Sequence, residues 1–241
     1  YINIASGHYS TISNGYCNIA SGRYSTVSNG YSNIASDVYS TVINGKSNLS
    51  QAVAGFIGNG ICNNVCNHTS SCLALGAVVV GGVGNNTTGG TWDLSTCSFT
   101  VQPTICNAGQ YSFVGGGFQN KASCNYSSVL NGICNTASSD NATVVNGSLN
   151  TASSYYSTVV NGTLNIASSR YSTVVNGLCN TASGGYSTVS GYNNIASGRH
   201  STVSNGYQNI ASEDYSTVIG GCKNTLSSCC GIYNTIVSGL Y

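Results

Sequence analysis

Every fifteen residues, over most of its length, this chain returns to one pattern, Y-S-T-V-S-N-G-Y-x-N-I-A-S-G-x. The leading tyrosine recurs at Tyr9, Tyr24, Tyr39, Tyr111, Tyr126, Tyr156, Tyr171, Tyr186 and Tyr215. A unit this short cannot enclose a core alone. Successive copies must stack and share one, which defines a solenoid.

The pattern assigns faces. The third residue after the tyrosine is β-branched in rung after rung (Ile12, Val27, Val42, Ile57, Val114, Val129, Val144, Val159, Val174, Val189, Val203, Val218), as an inward strand site requires. In the N-I-A-S half, Asn18, Asn33 and Asn165 alternate with Ala20, Ala35 and Ala167, while the site between accepts Ile19, Thr136, Leu49 or Lys121. A site that takes lysine faces water, so the Asn and Ala beside it face in. Glycine at Gly15, Gly30, Gly45 and their equivalents marks a corner needing positive φ. Arg23, Asp37, Asp140, Arg170, Arg199, Glu213 and Asp214 gather just before the tyrosine position and mark a solvent corner. The expected fold is all-β: a parallel β-roll or solenoid with two short strands per rung. Residues 1–61 and 111–241 are regular, and 62–110 are irregular rungs with a loop insertion, all in one continuous elongated domain. Residue 1 falls inside a repeat and methionine is missing throughout, so a piece of a longer protein is expected.

The fourth position after the tyrosine faces outward yet carries Ile43, Leu130, Val145, Val160, Val175 and Ile219. An outward apolar stripe reads as an interface; a core wide enough to take both parities is the alternative.

The run N-I-A-S-G at Asn18–Gly22 and Asn194–Gly198, the S-C-L-A-L-G at Ser71–Gly76 and the fourteen-residue unit Tyr186–Arg199 resemble the head repeats of trimeric autotransporter adhesins (the YadA-like head) and related repeats of phage and large-virus fibres. The resemblance implies a left-handed parallel β-roll, three chains packed as a homotrimeric rod, and an extracellular place on a cell or virion surface. It makes the apolar stripe the trimer interface and a host-surface glycan or protein the receptor.

Composition narrows the rest. Charged residues are 5% of the chain and the net charge is +1, so no basic patch exists to neutralise nucleic-acid phosphates. The longest apolar runs, such as Ala77–Val80, are far too short to span a membrane. Gly82–Gly84 is a repeat corner and not a phosphate loop. Acidic residues are too few and too confined to turns to supply a general acid and base, so neither an enzyme nor a cofactor is expected. His8 sits at the charged corner, His200 replaces a ladder tyrosine, and His68 lies in the irregular region.

The twelve cysteines divide into sets. Cys17, Cys62, Cys134 and Cys179 share one repeat position and read as small buried hydrophobes, with interchain bonds as the alternative. Cys62, Cys66, Cys72, Cys97 and Cys106 cluster in the irregular region as disulfide candidates of unassigned connectivity. Cys62 and Cys66 with His68 lack the second cysteine pair a zinc site needs. Cys229–Cys230 has no account, and the sequons at Asn48, Asn67 and Asn161 are near chance in so Asn-rich a chain.

The insertion carries the single Trp and single Pro, Trp92 and Pro103, with Phe99 beside them. It reads as a protrusion that either contacts a ligand through Trp92 and Phe99 or packs over the rod. Tyr9, Tyr24 and Tyr39 read as a ladder that either binds glycans or packs between chains. The functional expectation is a non-enzymatic structural or adhesive surface fibre. The alternative is an ice-binding solenoid using the ladder begun by Thr11, Thr26 and Thr41, weighed against the bulk of the neighbouring tyrosines. A polysaccharide-acting enzyme stands third, without an acidic cleft.

Overall fold

Each fifteen-residue repeat closes into one rung of a parallel β-solenoid in the computed structural model, which describes residues 2–66, 71–227 and 233–237. Contacts divide the chain into two units, residues 1–133 and 134–241. Among the described residues there is no α-helix, only a short 3-10 turn at Ser71–Ala74.

In the first unit one sheet stacks Thr11–Ile12, Thr26–Val27, Thr41–Val42, Phe56–Ile57, Val78–Val79, Phe113–Val114 and Ser128–Val129 in parallel register. A second sheet stacks Ile4–Ala5, Ile19–Ala20, Ile34–Ala35, Leu49–Gln51 and Asn64–Cys66. In the second unit the corresponding sheets run from Thr143–Val144 to Thr235–Val237 and from Thr136–Ala137 to Thr225–Leu226. We call these the valine and alanine sheets after their inward residues. Rungs joined by such ladders lie about 4.8 Å apart.

The core is as thin as the sequence indicates. Val27, Val42, Val159 and Val174 of the valine sheet and Ala20, Ala35, Ala167 and Ala182 of the alanine sheet are all 0% exposed. So little apolar volume leaves polar groups inside, and they have to be satisfied there. The asparagines do this as a ladder. The Asn165 amide N–H donates to Asn150 Oδ1 at 3.0 Å, and Asn165 Oδ1 accepts from the Asn180 N–H at 3.0 Å. Asn165 Nδ2 donates to the Gly177 carbonyl at 2.9 Å and to the Asn161 carbonyl at 3.1 Å. The first unit repeats the scheme at Asn18, Asn33 and Asn48.

The corners use backbone that only some residues tolerate. Gly30 has φ +105° and Gly162 φ +98°, and a methyl at Gly162 would overlap the Gly177 carbonyl. Two further positions per rung are left-handed without being glycine: Tyr24 has φ +59° and Tyr171 +58°, while Cys17 has +55° and Cys179 +58°. Each costs about 1–2 kcal/mol. Parallel ring stacking, with Tyr9, Tyr24 and Tyr39 centroids 5.0 and 5.1 Å apart, returns a comparable amount at about 0.5–1.5 kcal/mol per pair. A left-handed residue also interrupts strand alternation, so the tyrosine does not continue the outward row of the threonines two residues later.

Two sequence expectations change here, and one open alternative closes. Cys17, Cys62, Cys134 and Cys179 are half-exposed on a left-handed corner and not buried. Glu213 leaves the solvent corner: it is 9% exposed, and its Oε2 accepts from Asn234 Nδ2 at 2.6 Å. The outward apolar positions are surface residues and not part of a widened core, with Ile43, Leu130, Val175 and Ile219 exposed and Val145 and Val160 half-exposed.

Candidate ligand-binding face

The outward row of the valine sheet differs between the units. In the second it holds Thr143, Thr158, Thr173, Thr188, Thr202, Thr217 and Thr235 in unbroken register. The next outward row, two residues on, holds Val145, Val160, Val175, Ser190, Ser204, Ile219 and Val237. Neither row contains a charge. The threonines are half-buried except Thr235, which is exposed. Their β-branching restricts χ1, and rung-to-rung bonds such as Thr158 N–H to Ser172 O and Val160 N–H to Val174 O, both 2.9 Å, hold the backbone beneath them. The product is a rigid grid of hydroxyls and methyls at a constant step. In the first unit the threonine row has only Thr11, Thr26 and Thr41 before Phe56, Val78 and Phe113 replace it.

The aromatic candidates are differently placed. Tyr9, Tyr24 and Tyr39 stack within 7° of parallel, so neighbouring rings cover the faces a sugar would need. In the second unit Tyr156, Tyr171, Tyr186, His200, Tyr215 and Tyr233 form a stack with spacings of 4.7 to 5.2 Å. His200 is a ladder member, and Arg170 lies over Tyr155 and Tyr171 at 5.2 and 5.1 Å.

The insertion is a β-hairpin, Thr91–Asp93 against Ser98–Val101. Phe99 is 7% exposed and packs on Trp92 and Phe118, with centroids 5.0 and 6.2 Å away. Phe99 therefore anchors the arm to its rung and is not available as a ligand contact; Trp92 is half-exposed beside it. At the hairpin turn Asp93 Oδ1 accepts from Ser95 N–H and Oγ at 2.8 and 2.7 Å, and Oδ2 accepts from Thr96 Oγ1 at 2.8 Å. These bonds, chiefly that from the Ser95 hydroxyl, hold the Asp93 carboxyl below its usual range. A depressed carboxylate stabilises the fold above its unfolded pKa, and that contribution is lost as pH falls through the folded value. Acidification through that window is expected to loosen the arm and shift the emission of Trp92, and Asp93→Asn to flatten the response. An acid titration of tryptophan fluorescence checks both.

Cys62, Cys66, Cys97 and Cys106 carry no disulfide, and the side chain of Cys72 lies outside the described residues. Burial pushes the Cys62, Cys66 and Cys106 thiols up, with Lys46 pulling Cys62 and Lys121 pulling Cys106 partly back. His68, the Asn67 sequon and Cys229–Cys230 lie outside the described residues. Among the described residues no three His, Cys, Asp or Glu side chains gather as a metal site would need, and no helix is long and apolar enough to cross a membrane.

Fold and face together define a parallel β-solenoid presenting an in-register, uncharged threonine array. A family model described as the grass antifreeze beta roll matches residues 107–205, less than half of the chain, and includes Thr143, Thr158, Thr173, Thr188 and Thr202. No curated protein matches the chain.

Proposed function

We propose that this is a non-enzymatic, extracellular ice-binding protein whose ligand is the surface of an ice crystal, met by the valine-sheet face of the second unit. The observation that carries the reading is the row of seven threonines from Thr143 to Thr235 in one register. Ice is a periodic solid, and a protein that recognises it needs a periodic, rigid surface. Rungs about 4.8 Å apart supply the period. Threonine supplies a hydroxyl to join the water lattice and a methyl that limits disordered hydration. A charge would hold its own hydration shell against that lattice, and none lies in either row.

The similarity of residues 107–205 to the grass antifreeze beta roll supports the same reading. The outward residues Val145, Val160, Val175 and Ile219, which the adhesin resemblance assigns to a trimer interface, belong here to the ice-contacting grid. The tyrosine bulk that counted against ice lies at a left-handed corner outside the strand. Annealing a polycrystalline ice film with the purified protein tests the proposal. Grains held small at micromolar protein support it; grains coarsening as fast as in an albumin control refute it.

A further inference from the structure

The corner just before each inward asparagine faces water, and in the second unit an apolar row runs along it. The backbone there is left-handed, and several rungs fill it with polar side chains, as at Ser32, Ser47, Gln119, Asn193, Gln208 and Lys223. Between them the row reads Cys134, Leu149, Leu164, Cys179, with φ +53°, +56°, +56° and +58°. Leu149 and Leu164 are 49% and 46% exposed. A bulky apolar residue that is both left-handed and half in water is doubly unfavourable, and a conformation held against its cost points to a use. The Leu164 N–H donates to Ser148 O and the Cys179 N–H to Thr163 O, both at 3.0 Å, which keeps the row in step. Ile166 and Leu178, also exposed, and Thr151, Thr163 and Thr181 stand beside it. None of these residues is charged.

The row also reads the same from both ends, with cysteines outside and leucines within. A twofold contact sets one residue against a second and that second against the partner's first, so such a row matches itself. An axis across the stack of rungs, between Leu149 and Leu164, sets Leu149 against the partner's Leu164. The same axis sets Cys134 against the partner's Cys179. Within one chain these two cysteines are three rungs apart, about 14 Å, too far to bridge each other. The first unit supplies the contrast. Its row has cysteines at the same spacing, Cys17 and Cys62, but its middle is Ser32 and Ser47 with Lys46 alongside. There the arm engages one end, with the Cys62 thiol reaching Gln102 Oε1 at 3.8 Å.

We propose that the Cys134–Cys179 strip is the contact between two copies of this chain, paired antiparallel about a twofold axis between Leu149 and Leu164. The strip borders the alanine sheet, whereas the threonine row belongs to the valine sheet, so the pairing stands apart from the ice-binding reading.

Sedimentation of the reduced full chain tests this, and a reversible species of twice the chain mass is expected. Leu164→Glu should raise its dissociation constant about a hundredfold, because symmetry places each substitution in the contact twice. Ile219→Glu, similarly exposed but on the valine sheet, should leave it unchanged. If Leu164→Glu lacks the wild-type circular dichroism spectrum, Leu149→Gln takes its place. Mild oxidation with copper phenanthroline then reads the direction of pairing. Each bridge formed releases two thiol protons and gives two electrons to the copper reagent. Peptide mapping of the cross-linked dimer should find Cys134 joined to Cys179. A monomer at every concentration, a trimer, a dimer indifferent to the folded leucine variant, or a cross-linked dimer without the Cys134–Cys179 peptide would overturn the assignment.

Discussion

Replacing Thr173 with tyrosine should remove most of the protein's effect on ice while leaving its melting curve in place. Thr173 stands between Thr158 and Thr188 in the outward row, so a ring there lifts the surface off its own rung and both neighbours. Dispersion falls by a quarter to a half for a gap of only about 0.5–1 Å, and a phenol ring opens a far wider one. Three rungs losing contact together are expected to weaken binding by about tenfold, equivalent to about 1.4 kcal/mol. Stability should change by less than about 0.5 kcal/mol, because the site is on the surface of a strand and tyrosine suits strands. Thermal hysteresis of wild type and variant at equal concentration is the comparison. Thr26→Tyr in the first unit, where the row is broken, should leave hysteresis near the wild-type value. If Thr173→Tyr keeps full hysteresis, the grid is on another face.

The second large effect concerns the fold. Asn165→Ala removes an acceptor for the Asn180 N–H and a donor to the carbonyls of Gly177 and Asn161, and all three connections lie inside or at the rim of the core. The Gly177 carbonyl keeps the Thr163 N–H at 3.0 Å, whereas the Asn180 N–H and the Asn161 carbonyl lose the partner Asn165 gave them. Groups left buried without partners cost about 1–3 kcal/mol each, so a loss on the order of 4 kcal/mol is expected, with a melting temperature lower by roughly 10 °C. Asn146→Ala, at an exposed corner one rung earlier, should move stability by less than about 0.5 kcal/mol. Thermal melts followed by circular dichroism give the contrast. Equal melting of the two variants would mean that the ladder is incidental to stability.

The rung was legible in the sequence because its physics is local and repeated. A site that is always Val or Ile, a site that is always Asn and a corner that is always Gly each leave one reading, and Val159, Asn165 and Gly162 fit it. The backbone at the tyrosine was less legible for the complementary reason. Counting by twos assumes continuous strand, and the left-handed backbone at Tyr24 or Tyr171 breaks the count without any glycine to announce it. Cys17 and Cys179 hid a second such corner behind a residue type usually found inside. The arm could be seen as an interruption but not placed. Its docking rests on Phe99 meeting Phe118, and no pattern in one sequence connects a residue of the insertion to a repeat position that holds Tyr, Lys or Ile in other rungs. The threonine row was visible from Thr11 onward; its significance depends on the unbroken run in the second unit and on the uncharged row beside it.

The most direct test of the ice-binding account is to grow an ice hemisphere slowly into a dilute solution of the purified full chain and assay the protein in melt and liquid. The account predicts that ice takes up the chain in preference to a non-binding control protein, and that uptake falls sharply for Thr173→Tyr. A chain left behind in the liquid as completely as the control would contradict it.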